Sequence, residues 1–183
     1  RLLERATGIY TGSDSSPARR LSGTLRDAYG FLGEGIVDER VRVVKTHFPE
    51  RSATLPFVAD RAVLLVRNPL DAIDSVFNFY ITCSHTQTVH ESEYRRFSDL
   101  LDRLVRSEGD VWRLFHLFWL CQDRVPVHIV RYEDIISDGH QAQEAICKLL
   151  DFIADQQLAG TAAAGMSGVT PSAPPMPSVL EPS

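Results

Sequence analysis

Apolar positions along this chain change their period several times, and each change marks an element. Val41 to Lys45 and Ala62 to Val66 are short apolar, β-branched runs of strand length, and Pro126 to Arg131 is a third. Runs of this kind suit strands covered on both faces of a parallel sheet. Asn68-Pro69-Leu70-Asp71 reads as a helix start, with Asn as N-cap, Pro at the first helical position and an acid at the third. Leu70, Ile73, Phe77, Tyr80 and Ile81 then recur at helical spacing and predict a core-facing stripe, leaving Asp71, Ser75, Asn78 and Thr82 on a polar face. Glu93 to Val105 is amphipathic through Tyr94, Phe97, Leu101 and Leu104. Val111 to Cys121 is apolar nearly all round and predicts a buried helix, with His116, Trp112 and Trp119 in the core. Gln141 to Ile153 predicts a last helix. Leu2 to Ala6 reads as a helix end stopped near Gly8, and the polar stretches around Gly12 to Pro17 and Thr82 to Glu93 read as loops. Strands alternating with helices imply βαβ crossovers, and so an α/β fold with a parallel sheet.

Composition narrows the picture. A chain of 183 residues with 44% hydrophobic positions can build one sizeable core. A net charge of −5 favours neither nucleic acid nor an anionic membrane surface as partner. A polyanionic ligand would therefore need local cations. Cys83, Cys121 and Cys147 are odd in number, far apart and flanked by apolar residues, which predicts buried free thiols. No run of 18 apolar residues occurs, so no transmembrane contact is expected within this chain. From about Ala159 the sequence is Ala, Gly, Ser and Pro with one charge, Glu181; residues 156–183 are expected to be a disordered tail beyond a folded part at residues 1–155.

The candidate chemistry sits at the strand ends. The first strand delivers Lys45-Thr46-His47, and the second delivers Arg67 before Asn68-Pro69, with Ser75 eight residues further on. Parallel strands that both present charge at their carboxyl ends make an anion-binding crevice. Lys45 and His47, two apart, would point to the same side of an extended chain. Ser75 could share an anion with Arg67 only if the strand end folds back toward the helix. Cys83, His85 and His90 share a loop, but their spacing matches no zinc pattern, and no metal is expected.

Taken together, the Lys-Thr-His strand, the Arg-Asn-Pro strand with Ser75, and a strand ending in Arg131-Tyr132-Glu133-Asp134 resemble, in order and spacing, the sulfotransferases that use 3'-phosphoadenosine 5'-phosphosulfate (PAPS). The Trp112 to Trp119 helix upstream of the third strand adds to the resemblance. Ala6 to Ser13, ATGIYTGS, is similar to the branch that includes WSC-domain sulfotransferases. The resemblance covers roughly residues 1 to 155. It implies a P-loop-NTPase-like, three-layer α/β/α fold with a central parallel sheet, whose first strand and phosphosulfate loop would precede Arg1. Carried over by position, Arg67 and Ser75 would hold the 3'-phosphate, Tyr132 would lie near the adenine, Lys45 would bind the leaving phosphate oxygen, and His47 would be the general base. The co-substrate would be PAPS and the partner a hydroxyl-bearing acceptor, carbohydrate among the candidates. The resemblance leaves two compartments open, the Golgi lumen behind an amino-terminal anchor and the cytoplasm.

Two departures bear on activity. The phosphosulfate loop is not within the sequence, and the carboxyl-terminal Arg-Lys-Gly segment of the family has no counterpart in the tail. Two other readings therefore stand beside sulfotransfer: a P-loop phosphotransferase or NTPase, and a non-catalytic nucleotide-binding module. The chain contains no G-x-x-x-x-G-K-[ST] loop, which weighs against the first.

Overall fold

The computed structural model describes residues 2–18, 20–49, 54–84 and 86–155. His85, Glu50 and the tail expected at residues 156–183 lie outside the described residues. Within the span expected as one domain, the described chain gathers into two compact units, one up to Ala59 and one from Asp60. Both are built on parallel strands, so the α/β class expected from the pattern holds.

In the first unit, α1 (Leu2–Thr7) ends as expected at Gly8, whose φ of +72° suits glycine. Strand β1 (Thr11–Ser13) and helix α2 (Arg20–Tyr29) follow, then β2 (Val43–Lys45). β1 pairs in parallel with β2, Thr11 opposite Val43 and Ser13 opposite Lys45. The strand at Thr11–Ser13 replaces the loop read from its polar residues, and α2 was not foreseen. The cause of β1 is tertiary: a Cβ on Gly12 would run into the Ile36 carbonyl and the Val41 side chain, and one on Gly33 into the Thr11 carbonyl. The two glycines let residues 33–36 cross close against the strand.

The second unit contains β3 (Ala62–Val66), α3 (Pro69–Thr82), α4 (Glu91–Arg96), α5 (Ser98–Cys121), β4 (Val127–Arg131), α6 (Tyr132–Ile136) and α7 (His140–Ala154). β3 and β4 pair in parallel, from Ala62 opposite Val127 to Val66 opposite Arg131. On one face Leu64, Val66 and Ile129 meet Trp112, His116 and Leu120 of α5 around a shallow apolar groove. On the other face the His128 ring stacks on Phe152 of α7 at 5.0 Å. The Arg61 guanidinium donates to the Phe152 carbonyl at 2.8 Å, satisfying a carbonyl that the end of α7 would otherwise leave bare. A helix–sheet–helix arrangement is thus present within this unit alone. No helix among the described residues is long and apolar enough to cross a membrane.

Ile73, Phe77 and Leu104 form a buried cluster in this unit, flanked by Val76, Ile81, Tyr94, Phe97 and Leu101. Leu64 and Val130 of the strands and Leu149 and Ile153 of α7 are buried as well. The predicted stripe on α3 is corrected at both edges. Leu70 and Tyr80 are 66% and 58% exposed, while Asn78, expected on the polar face, is buried. Packing is rotated toward Asn78 because a polar network draws it in. Its Nδ2 donates to the Asp74 carbonyl at 2.8 Å and to the Tyr94 hydroxyl at 3.1 Å, and its Oδ1 accepts the Val89 N–H at 2.7 Å. Tyr94 in turn donates to Asp74 at 2.7 Å, and that bond raises the pKa of its phenol. Asn78→Ala should cost about 1–3 kcal/mol, since the Val89 N–H loses its acceptor in a part-buried setting. Urea denaturation of the variant checks this, and a change near zero would mean that water replaces the network.

Two further expectations are corrected. The helices read at Glu93–Val105 and Val111–Cys121 are α4 and a single 24-residue α5 that runs through Gly109, where a Cβ would meet open space. The latter part of α5 is not buried all round, because Val111, Leu117 and Leu120 are exposed. All three cysteines are free, as expected, but exposed rather than buried. Flanking apolar residues recorded hydrophobic neighbours in sequence, whereas Cys83 lies at the end of α3 and the exposure of Cys121 and Cys147 depends on which arc of α5 and α7 is packed.

Candidate active site

The first unit supplies the carboxyl end of β2. Lys45 is its last residue, and both Lys45 and His47 are exposed. Thr46, between them, is half-buried, and its hydroxyl donates to the Asp14 carboxylate at 2.6 Å. The same hydroxyl oxygen accepts the Phe48 N–H at 2.9 Å. Asp14, only 4% exposed, is also tied through its backbone: its N–H donates to the Lys45 carbonyl at 3.1 Å, and its carbonyl accepts the Leu55 N–H at 2.6 Å. Next to it, the buried Ser13 hydroxyl donates to Glu34 at 3.1 Å. The Lys-Thr-His segment is therefore held from beneath by the end of β1, with its cation and its imidazole turned outward.

The second unit supplies the carboxyl end of β3 and the turn into α3. Asn68 caps α3 as its sequence predicts, its Oδ1 accepting the Leu70 N–H at 2.9 Å. Arg67, immediately before it, is fixed from two sides. Its carbonyl accepts the indole N–H of Trp112 at 3.1 Å, and its guanidinium lies over the Tyr132 ring at 4.9 Å. Stacking occupies a face of the guanidinium and leaves its in-plane N–H fork available to an anion. The Asn68 N–H donates to Glu133 at 2.8 Å, which joins the β3–α3 turn to the β4–α6 turn.

That bond, more than the neighbouring Arg131 and Arg67 charges, holds the Glu133 carboxyl below its ordinary pKa of 4.5. A carboxylate with a depressed pKa in the folded state stabilises the protein at neutral pH, and the contribution disappears as acid protonates it. Between pH 5 and acid unfolding, Glu133→Gln should thus lose less stability than the wild type. Thermal melts of both proteins across that range check it, and parallel acid limbs would remove Glu133 from the anchor.

The structure thus brings together Lys45 and His47 on one strand end, and Arg67 and Tyr132 at another. Ser75 is exposed two turns into α3, and no hydrogen bond between Ser75 and Arg67 occurs among the described residues. Four residues with evident parts in these ends were not singled out for such a role by the sequence: Asp14, Thr46, Trp112 and Glu133. Thr46, Trp112 and Glu133 fall inside quoted motifs, but their contacts reach 32, 45 and 65 residues away. His116 departs in part from the expected core histidine. Its Nδ1–H donates to the Trp112 carbonyl at 2.6 Å, but the buried Nε2, beside the apolar groove, has no hydrogen-bond partner among the described residues. His90, of the loop weighed for metal, caps α4 by accepting the Ser92 N–H at Nδ1. Among the described residues no cluster of His, Cys, Asp or Glu has a metal-binding arrangement.

Each unit carries a parallel strand that runs into cationic side chains, Lys45 in the first and Arg67 in the second, and the protein is of the α/β class. The chain belongs to the sulfotransferase domain family, whose model matches residues 36–162 and so spans every candidate residue from Lys45 to Tyr132. It is also similar to a WSCD family member of Aedes aegypti, 30% identical over 169 residues, 92% of this chain and 50% of that protein. The chain therefore spans about half the length of this curated relative. No solved structure gives a significant match.

Proposed function

We propose that the protein transfers a sulfonate group from PAPS to an acceptor hydroxyl, a carbohydrate hydroxyl being the first candidate. The observation that supports this is the placement of Lys45, His47 and Arg67 at the carboxyl ends of parallel strands, inside the matched family domain. PAPS supplies the sulfonate, carried on a phosphate that leaves as the transfer proceeds. His47, exposed and held at a fixed point of the chain, accepts the proton of the attacking hydroxyl. The new O–S bond forms as the S–O bond to the departing phosphate breaks, and Lys45 neutralises the charge that develops on that phosphate oxygen. Arg67 holds the 3'-phosphate through its N–H fork, with Ser75 adding a hydroxyl donor, and Tyr132 offers ring surface to the adenine as well as to Arg67.

The test is transfer of labelled sulfonate from PAPS by the full-length protein to a panel of glycan and small-molecule hydroxyl acceptors, with release of adenosine 3',5'-bisphosphate. Turnover that instead needs ATP and magnesium would replace sulfotransfer by phosphotransfer. Nucleotide binding without turnover on any acceptor would favour a non-catalytic module.

A further inference from the structure

The middle residue of Lys45-Thr46-His47 is turned away from solvent, and its partner is a buried carboxylate 32 residues earlier in the chain. A part-buried hydroxyl–carboxylate bond of 2.6 Å is short and charge-assisted, the stronger kind of hydrogen bond. It does not stand alone. Thr46 Oγ1 also accepts the Phe48 N–H, so a single hydroxyl links the backbone just beyond His47 to Asp14. Asp14 is tied on both sides, to the Lys45 carbonyl and to the Leu55 N–H. Lys45 and Phe48 bracket His47, and both are fastened to the same aspartate, one directly and one through Thr46. An extended chain alternates its side chains, so a fastened Thr46 sends its two neighbours the opposite way. Both neighbours are exposed.

We infer that Asp14 and Thr46 form a positioning clamp that sets the location and direction of the His47 imidazole and the Lys45 ammonium for the transfer reaction. Neither residue touches substrate. Their effect is on geometry, and a base displaced by about 1 Å can lose up to about 10²-fold in rate. The clamp also explains why Asp14, a charged residue at the end of a strand of small residues, is buried. Its carboxylate has a fixed hydroxyl partner there instead of water.

The inference rests on His47 being the base, so the experiment separates the two. In the full-length protein, turnover, bisphosphate-nucleotide affinity and nucleotide sites per chain are measured for Thr46→Val, Thr46→Ser, Asp14→Asn and His47→Ala. Thr46→Val keeps the shape but removes the hydroxyl, and should lower kcat by about tenfold with an unchanged number of nucleotide sites. Thr46→Ser restores the hydroxyl and should return most of the rate. A purely structural role would instead lower rate and site count together, and that result overturns the clamp. Should Thr46→Val not fold, Asp14→Asn decides: it keeps an acceptor oxygen but loses the charge, and is expected to lower kcat at constant site count. Unchanged turnover there overturns the clamp. If His47→Ala keeps full activity, the base assignment has failed. If His47→Ala is inactive while Thr46→Val matches wild type, the clamp alone has failed.

Discussion

His47→Ala in the full-length protein is expected to abolish most sulfonate transfer, by about 10²- to 10⁴-fold, while leaving nucleotide affinity nearly intact. The direction follows from where the side chain sits. His47 is exposed beyond the end of β2, so its removal opens no cavity in a core and breaks no packing. Loss of rate can then be read as loss of the proton acceptor rather than loss of fold. Lys45→Ala is its necessary companion. That ammonium is assigned to the phosphate itself, so its loss should lower affinity as well as rate. Steady-state kinetics with PAPS, alongside titration with adenosine 3',5'-bisphosphate, separates the two patterns. Full activity in His47→Ala would move the base elsewhere, with Asp71, exposed in the first turn of α3, or Glu50 next in line.

The second large effect concerns the nucleotide. If Arg67 and Ser75 hold a 3'-phosphate, adenosine 3',5'-bisphosphate should bind at least about 10²-fold more tightly than AMP or ATP, since each charge-assisted hydrogen bond contributes roughly 1.5–3 kcal/mol. Arg67 is suited to this because its strand end is already immobilised, by Trp112 at the carbonyl and Tyr132 at the guanidinium. A side chain ordered before the ligand arrives loses less entropy on binding. Arg67→Ala should erase the preference for the bisphosphate and leave weak AMP binding as it was. Calorimetric titration at fixed, moderate salt measures this, because exposed ion pairing weakens as salt rises. Equal affinity for the bisphosphate and AMP would sink the assignment, and a preference for ATP with magnesium would promote the phosphotransferase reading.

Much of this was legible from local signals. Asn68-Pro69 carries its own capping chemistry, and the cap forms as those two residues dictate. Ala62 to Val66 and the run ending at Arg131 are strands because β-branched apolar runs have few other stable uses. The candidate residues Lys45, His47 and Arg67 were visible because strand ends are the points where an apolar run stops at a charge. Gly8 stopped α1 for a reason contained in one residue.

The expectations that failed are ones in which a distant partner overrides the local signal. Thr11-Gly12-Ser13 has no strand signal, and it becomes one only because β2 lies beside it and glycines allow residues 33–36 to approach. Asn78 looked solvated on a helical projection, yet Asp74, Tyr94 and the Val89 N–H make burial the better state. The cysteines looked buried from their neighbours in sequence, but Cys83 sits at the left-handed end of α3, and for Cys121 and Cys147 the arc of the helix that meets the core is set by the packing partner.

The sequence by itself determined the α/β class, the strand ends and the kind of charge placed there, because period, capping and residue type act over a few neighbouring residues. The tertiary structure alone decided how those charges are held: Asp14 beneath Thr46, Trp112 and Tyr132 about Arg67, and Glu133 on the Asn68 N–H. Each of these contacts joins residues tens of positions apart, and only the folded chain brings such pairs within hydrogen-bonding or stacking distance.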